Sequence, residues 1–201
     1  LFEALAEGQH PVALMITCGD SRIVPTLMTQ TRPGEIFICR NAGNIVPPHS
    51  EHTGGITATI EYAVVALRVP SIIICGHSDC GAMKAVLKPE SLENLPKVRG
   101  WLAHSASAGA VVAQIPDLSP KERLDVLIKE NVILQLEHLR THPSVAARLA
   151  AGDLRLFGWV YDISTGQVES YDAASQQFFP IRDGEQLAEA TPQRRTLKRV
   201  G

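Results

Sequence analysis

The chain has 201 residues, 45% of them hydrophobic, and a formal net charge of -2; it can bury one good core and has no overall field to draw nucleic acid or an anionic membrane surface. No apolar run approaches the roughly 20 residues a bilayer span needs, and the opening LFEALAEGQHP lacks the basic and apolar regions of a signal peptide. Four cysteines are too sparse for a disulfide scaffold and fit thiols kept reduced for metal or catalytic work. A small neutral or anionic substrate and a reducing, cytoplasmic setting are therefore expected, with no nucleic acid and no membrane partner. The sequence opens without Met on what reads as the end of a helix, so a truncated N-terminal helical arm is expected and the location is read for the chain as given.

Residues 12–17 form a short, nearly continuous apolar run that stops at Cys18-Gly19-Asp20-Ser21-Arg22, which predicts a buried parallel strand ending in a loop. Residues 35–39 read as another strand. Between 53 and 67, Ile56, Ile60, Val64 and Leu67 recur at helical spacing and predict a crossover helix. The run 71–75 is a second buried strand, followed at once by Gly76, His77, Ser78, Asp79 and Cys80. Ser119-Pro120-Lys121-Glu122 is a capping box with proline at the first helical position. It opens a helix carrying Leu124, Ile128, Gln135, Leu136 and Leu139 until Pro143 stops it. Residues 154–161 read as a further strand. Alternating strands and helices imply an α/β domain with a mainly parallel sheet, whose ligands gather beyond the carboxyl ends of the strands. One domain is expected over 1–181, followed by a polar, locally basic tail at 182–201.

Two strand ends can bring Cys18, His77 and Cys80 together. Two sulfurs and one imidazole leave a fourth tetrahedral position open, as in catalytic zinc sites; a structural site would close it with a fourth protein ligand. The rival is a Cys18–His77 nucleophile pair, but it leaves Cys80 without a task and the imidazole without an evident orienting partner. Cys39 and Cys75 sit within apolar runs and read as small buried hydrophobes. Gly54-Gly55 precedes a helix, yet no phosphate-loop or dinucleotide pattern accompanies it.

Taken together, Cys18-x-Asp20-Ser21-Arg22, Arg40-Asn41-Ala42-Gly43-Asn44, Glu61-Tyr62-Ala63 and His77-x-x-Cys80-Gly81 resemble the β-class carbonic anhydrases, over residues 5 to 181. The resemblance implies four parallel strands plus one antiparallel edge strand, flanking helices, and a homodimer or higher homo-oligomer with the active site at the dimer interface. It implies one zinc ion per chain on Cys18, His77 and Cys80, with Asp20 and Arg22 as the catalytic pair beside it. Gln9, Phe37, Tyr62 and Gly81 match substrate-binding positions, the first three belonging to the plant-like subclass, whose narrow apolar pocket is built from both subunits. Residues alone would have placed Phe37 and Tyr62 in the core and Gln9 on the surface. The other subclass builds an inhibitory bicarbonate pocket from a Trp and a Gly where this chain has Met15 and Thr17, so no regulation through such a pocket is expected. Ala42 departs from the larger aliphatic residue frequent in the family.

The implied reaction is reversible hydration of carbon dioxide to bicarbonate and a proton by zinc-bound hydroxide. Arg22 would keep Asp20 from closing the site by becoming the fourth zinc ligand. Two alternatives share the zinc site: a related substrate such as carbon disulfide, or a structural zinc protein without catalysis. No proton shuttle stands out: the direction of Asp79 is open, and His49, His52 and His104 read as surface histidines.

Overall fold

The computed structural model describes residues 2–182, residue 52 excepted. Four parallel strands form its centre: Ala13–Cys18 (β1), Ile36–Asn41 (β2), Ser71–His77 (β3) and Arg155–Tyr161 (β4). Val168–Asp172 (β5) and Gln177–Pro180 (β6) continue the sheet antiparallel, in the order β2-β1-β3-β4-β5-β6. The parallel core and an antiparallel extension agree with the sequence reading. The single antiparallel edge strand becomes two, because the chain turns back after Asp172 and pairs four more residues. Of the expected tail, residues 183–201 lie outside the described residues.

Every residue of β1 and β3 is buried, and the reason is two-sided cover. Leu14, Ile16, Ile72 and Ile74 pack into one apolar cluster, while their neighbours Met15, Ile73 and Cys75 pack into a second on the opposite face. A strand covered on both faces cannot alternate apolar with polar, which is why these segments read as unbroken hydrophobic runs. Each fully buried aliphatic side chain contributes about 1.5–3 kcal/mol.

Short helices flank the first strands, Phe2–Ala6 (α1) and Pro25–Thr29 (α2). The expected crossover helix begins at Gly55–Glu61 (α3) and widens into one π-helical turn at Tyr62–Ala66. Leu67 N–H donates to the Tyr62 carbonyl at 3.0 Å across this turn, so that Ala63 and Val64 are both buried while Tyr62 stays half exposed. Three helices not set apart in the sequence follow β3: Gly81–Leu87 (α4), Pro96–Leu102 (α5) and Ala106–Ala113 (α6).

Pro120–Thr141 (α7) starts on the capping box read from Ser119 and Glu122 and packs along the sheet. Pro143–Ala151 (α8) leads back to β4. Helix α7 lies very close to two strand glycines. A Cβ on Gly158 would stand 2.9 Å from both Leu136 Cδ1 and Val132 Cγ1, and one on Gly76 would stand 2.9 Å from Val132 Cγ2.

The same helix presents a polar stripe to the segment after β2. Asn131 Nδ2 donates to the Gly43 carbonyl (3.0 Å), Val46 N–H donates to Gln135 Oε1 (2.8 Å), and His138 Nδ1 donates to the Val46 carbonyl (2.7 Å). Ser105 and Gln135 both donate to Asn131 Oδ1. Gln135, read from the sequence as part of an apolar series, is therefore a fully buried clamp. Burial lowers the pKa values of His138 and His142; donation to the Val46 and Pro47 carbonyls acts the other way.

Gly158→Ala is expected to cost about 1–3 kcal/mol by overpacking, read as a lower urea midpoint at unchanged m-value. Half-buried His138 and buried His142 are favoured neutral, so the unfolded chain takes up protons that the folded one refuses. Stability is then full above the ordinary histidine pKa of about 6.5 and falls as pH drops through the lower folded values. Urea midpoints should decrease from neutral to mildly acidic pH, and His138→Gln should decrease less steeply.

Candidate metal centre

Cys18 ends β1, His77 ends β3, and Cys80 stands immediately before α4. Strands β1 and β3 are parallel and paired, Thr17 opposite Cys75, so their carboxyl ends finish at nearly the same level. Reaching from His77 to Cys80 in three residues requires a sharp reversal, supplied by Asp79 in the left-handed region (φ +58°), a conformation Asp tolerates better than most residues. The two sulfurs and a ring nitrogen lie within 4.8 Å of one another, all three residues buried.

Local hydrogen bonds fit this donor set to a metal. His77 Nδ1 faces the Ser78 carbonyl at 2.9 Å; a carbonyl only accepts, so Nδ1 carries the proton. Nε2 is buried and without a hydrogen-bond partner among the described residues, and a ring held by a carbonyl at one nitrogen with the other left unbonded is the arrangement typical of a ligating imidazole. The thiol of Cys80 donates to the sulfur of Cys18; this lowers the Cys18 pKa and raises that of Cys80, with burial adding to the rise. A divalent cation bound here would favour thiolate on both sulfurs. Gly43 N–H donates to Cys18 Sγ at 3.4 Å.

Beside the donors, Asp20 Oδ2 lies 3.9 Å from His77 Nε2 but is bound elsewhere. Arg22 Nη2 donates to Oδ2 (2.7 Å), and Arg22 Nε and backbone N–H both donate to Oδ1 (3.0 Å each). This two-pronged grip holds the Asp20 carboxyl well below the usual carboxylate range. The other edge of the guanidinium donates from Nη1 to Asp79 Oδ2 (3.0 Å), and Lys84 closes the chain on Asp79 Oδ1.

Several residues without an assigned role in the sequence build the frame. Arg40 Nε donates to the Cys18 carbonyl (3.1 Å) and its Nη2 to the Asp20 carbonyl (2.7 Å), fixing the loop that carries both residues. The Asn41 side chain bridges the Ile45 N–H and carbonyl, and Trp101 Nε1 donates to the Ala42 carbonyl. The Arg40–Asn44 block was visible as a motif; only its contacts reveal that it is a bracket.

Of the four predicted substrate-binding residues, Gln9, Phe37 and Tyr62 are not gathered with the donors. Phe37 pairs in register with Leu14, four residues before Cys18, so it lies about 13 Å back along the sheet at ~3.3 Å per residue. It packs on Tyr62, ring centroids 6.0 Å apart. Gln9 is exposed in the irregular stretch ahead of β1, beyond the opposite end of that strand. Gly81 opens α4 beside Cys80, and a Cβ there would meet nothing within 4 Å.

The family model described as "Carbonic anhydrase" matches residues 13–168. A carbonic anhydrase of Pseudomonas aeruginosa is 50% identical over 183 residues, covering 91% of this chain and 83% of that protein. The structure of the β-carbonic anhydrase CcaA is similar with a TM-score of 0.87 at 45% identity, covering 91% of this chain and 83% of that one. A structure from a study of two tetrameric β-carbonic anhydrases of the ascomycete Sordaria macrospora gives 0.75 at 32% identity, over 85% of each chain.

If Cys18, His77 and Cys80 form the centre, purified protein should carry close to one zinc per chain by elemental analysis. Cys80→Ser should lose most of it on dialysis against a mild chelator, whereas Cys75→Ser should keep it.

Proposed function

The chain belongs to the β-carbonic anhydrases, and on that footing we propose that it catalyses reversible hydration of carbon dioxide to bicarbonate and a proton at Cys18, His77 and Cys80. The observation that carries the reading is the Asp20–Arg22 pair: a carboxylate 3.9 Å from a ligand nitrogen, yet bound on both oxygens by one arginine. A structural metal site has no use for an acid held beside it in this way.

Zinc bound there supplies Lewis acidity that makes solvent nucleophilic near neutral pH, less strongly than with three imidazole ligands because two thiolates offset its charge. The chain's own groups do the rest. Oδ2 of Asp20 faces the donor atoms, accepts the hydrogen of the solvent nucleophile and orients its lone pair towards carbon dioxide. Arg22 occupies the carboxylate so that it does not become a fourth ligand. The Nδ1 proton of His77, spent on the Ser78 carbonyl, fixes the imidazole plane.

Gln9, Phe37 and Tyr62 act in our reading from a second copy of the chain, which would make a homodimer the smallest working unit, with Gly81 at the pocket wall. Their distance from the chain's own donors supports this, as do the exposed apolar side chains of Val12 and Val65 on the segments that carry Gln9 and Tyr62. Gln9 would then orient the substrate, and the Phe37–Tyr62 pair would line an apolar channel suited to a nonpolar gas. We further read residues 1–181 as one domain and place the chain in the cytoplasm. Support comes from the single sheet of the described residues for the first and from four free cysteines for the second.

Stopped-flow hydration of carbon dioxide by zinc-replete protein between about pH 7 and 9 tests this reading. Turnover should rise with pH, and Arg22→Ala should lose about a hundredfold or more through misplacement of Asp20 while retaining zinc. No hydration by the zinc-replete wild type at any pH, or full activity in Arg22→Ala, contradicts it.

A further inference from the structure

We propose that Asp79, itself anchored by Lys84, is a positioning residue: it locks the outer edge of the Arg22 guanidinium and so holds the inner edge on Asp20. The proposal rests on the catalytic reading above and assigns a job to a residue that this reading leaves idle.

The guanidinium is a flat fork with five N–H donors, and four are spent on two carboxyl-bearing residues. Nε and Nη2 hold Asp20, whereas Nη1 donates to Asp79 Oδ2 at 3.0 Å and Nη2 also reaches the Asp79 carbonyl at 3.4 Å. Contacts along two edges fix both the position and the plane of the group, which a single pair does not. The second edge matters because the Arg22 side chain is 45% exposed, and an isolated ion pair that open to water is screened and weakly ordered. Asp79 is in turn fixed twice. Its backbone is the left-handed reversal between His77 and Cys80, and its Oδ1 is held by Lys84 from the first turns of α4. Asp20, Arg22, Asp79 and Lys84 alternate in charge, so no charge in the row is unopposed.

The consequence concerns Asp20. Without the outer clamp Arg22 gains rotamer freedom, and the carboxylate is released part of the time towards the donors, of which His77 Nε2 is 3.9 Å away. A freed carboxylate competes best where the solvent nucleophile is still protonated, so the damage should be largest at low pH.

Asp79 is also the turn residue between two ligands, and the test separates the two jobs. Glycine and asparagine both tolerate the left-handed conformation, so Asp79→Gly keeps the turn and deletes the clamp, Asp79→Asn keeps a neutral acceptor, and Lys84→Met frees Asp79 without touching the turn. In zinc-loaded protein, Asp79→Gly is expected to keep zinc and KM, to lose about fivefold in kcat near neutral pH, a typical loss for one partly exposed charged contact, and to move the rising limb of the pH profile upwards. Asp79→Asn should recover most of the loss, and Lys84→Met should fall between. A crystal structure of zinc-loaded Asp79→Gly should show Arg22 in more than one conformation or Asp20 turned to the metal. An unchanged pH profile with the Arg22–Asp20 pair intact overturns the proposal, even if the variant melts at lower temperature, because only the turn would then matter. An inactive zinc-replete wild type would sink the catalytic reading instead, and the crystal structure would still decide the clamp.

Discussion

The site depends on one constraint: β1 and β3 must lie side by side, parallel, and end at the same level. Only then can a cysteine that ends one strand and a histidine that ends the other share a point in space. Apolar cover on both faces enforces the arrangement. A register slip by one residue would send Leu14 and Ile16 to the face of Met15 and undo both clusters at once. The strands thus place polar donors at their ends by burying apolar residues along their lengths, and the closeness of α7 to Gly76 and Gly158 leaves little room for either strand to shift.

Electrostatics then decide what the gathered donors can do. Two buried sulfurs, with the Cys18 pKa lowered beside Cys80, and a buried, unpartnered imidazole nitrogen make a set suited to a soft or borderline dication. Asp20 adds a third potential anion within reach, and left alone it would complete the coordination shell. In the reading we propose, Arg22 prevents this by binding both oxygens, so that a residue that touches no donor atom would set the difference between a closed structural site and an open reactive one. Arg40 contributes by holding the carbonyls of Cys18 and Asp20, which ties down the loop that carries the carboxylate.

Much of this was legible in the sequence because the relevant signals are local. The unbroken runs of β1 and β3 announce burial on both faces, and Ser119, Pro120 and Glu122 mark the start of α7 by chemistry confined to one turn. The three candidate metal donors stand out because they cluster at the ends of two strands. Other features depend on contacts distant in sequence. Strand β6 is four residues long and exists through its pairing with β5; helices α4 to α6 lack strong caps, none having a side-chain cap bond; the π-helical turn at Tyr62 changes spacing only within a helix that already reads correctly. Asp79 could be placed near the site but not aimed, since its direction follows from a backbone angle that the residue type permits without dictating. Gln9, Phe37 and Tyr62 came from family likeness alone, and a single chain keeps them apart from the donors.

The most direct test of the open-site account is a crystal structure of the zinc-loaded protein at mildly alkaline pH. The expected result is zinc on Cys18, His77 and Cys80 with a solvent-derived fourth ligand, and Asp20 still gripped on both oxygens by Arg22. Zinc closed by Asp20 with Arg22 turned away, or by any other protein side chain, would contradict it.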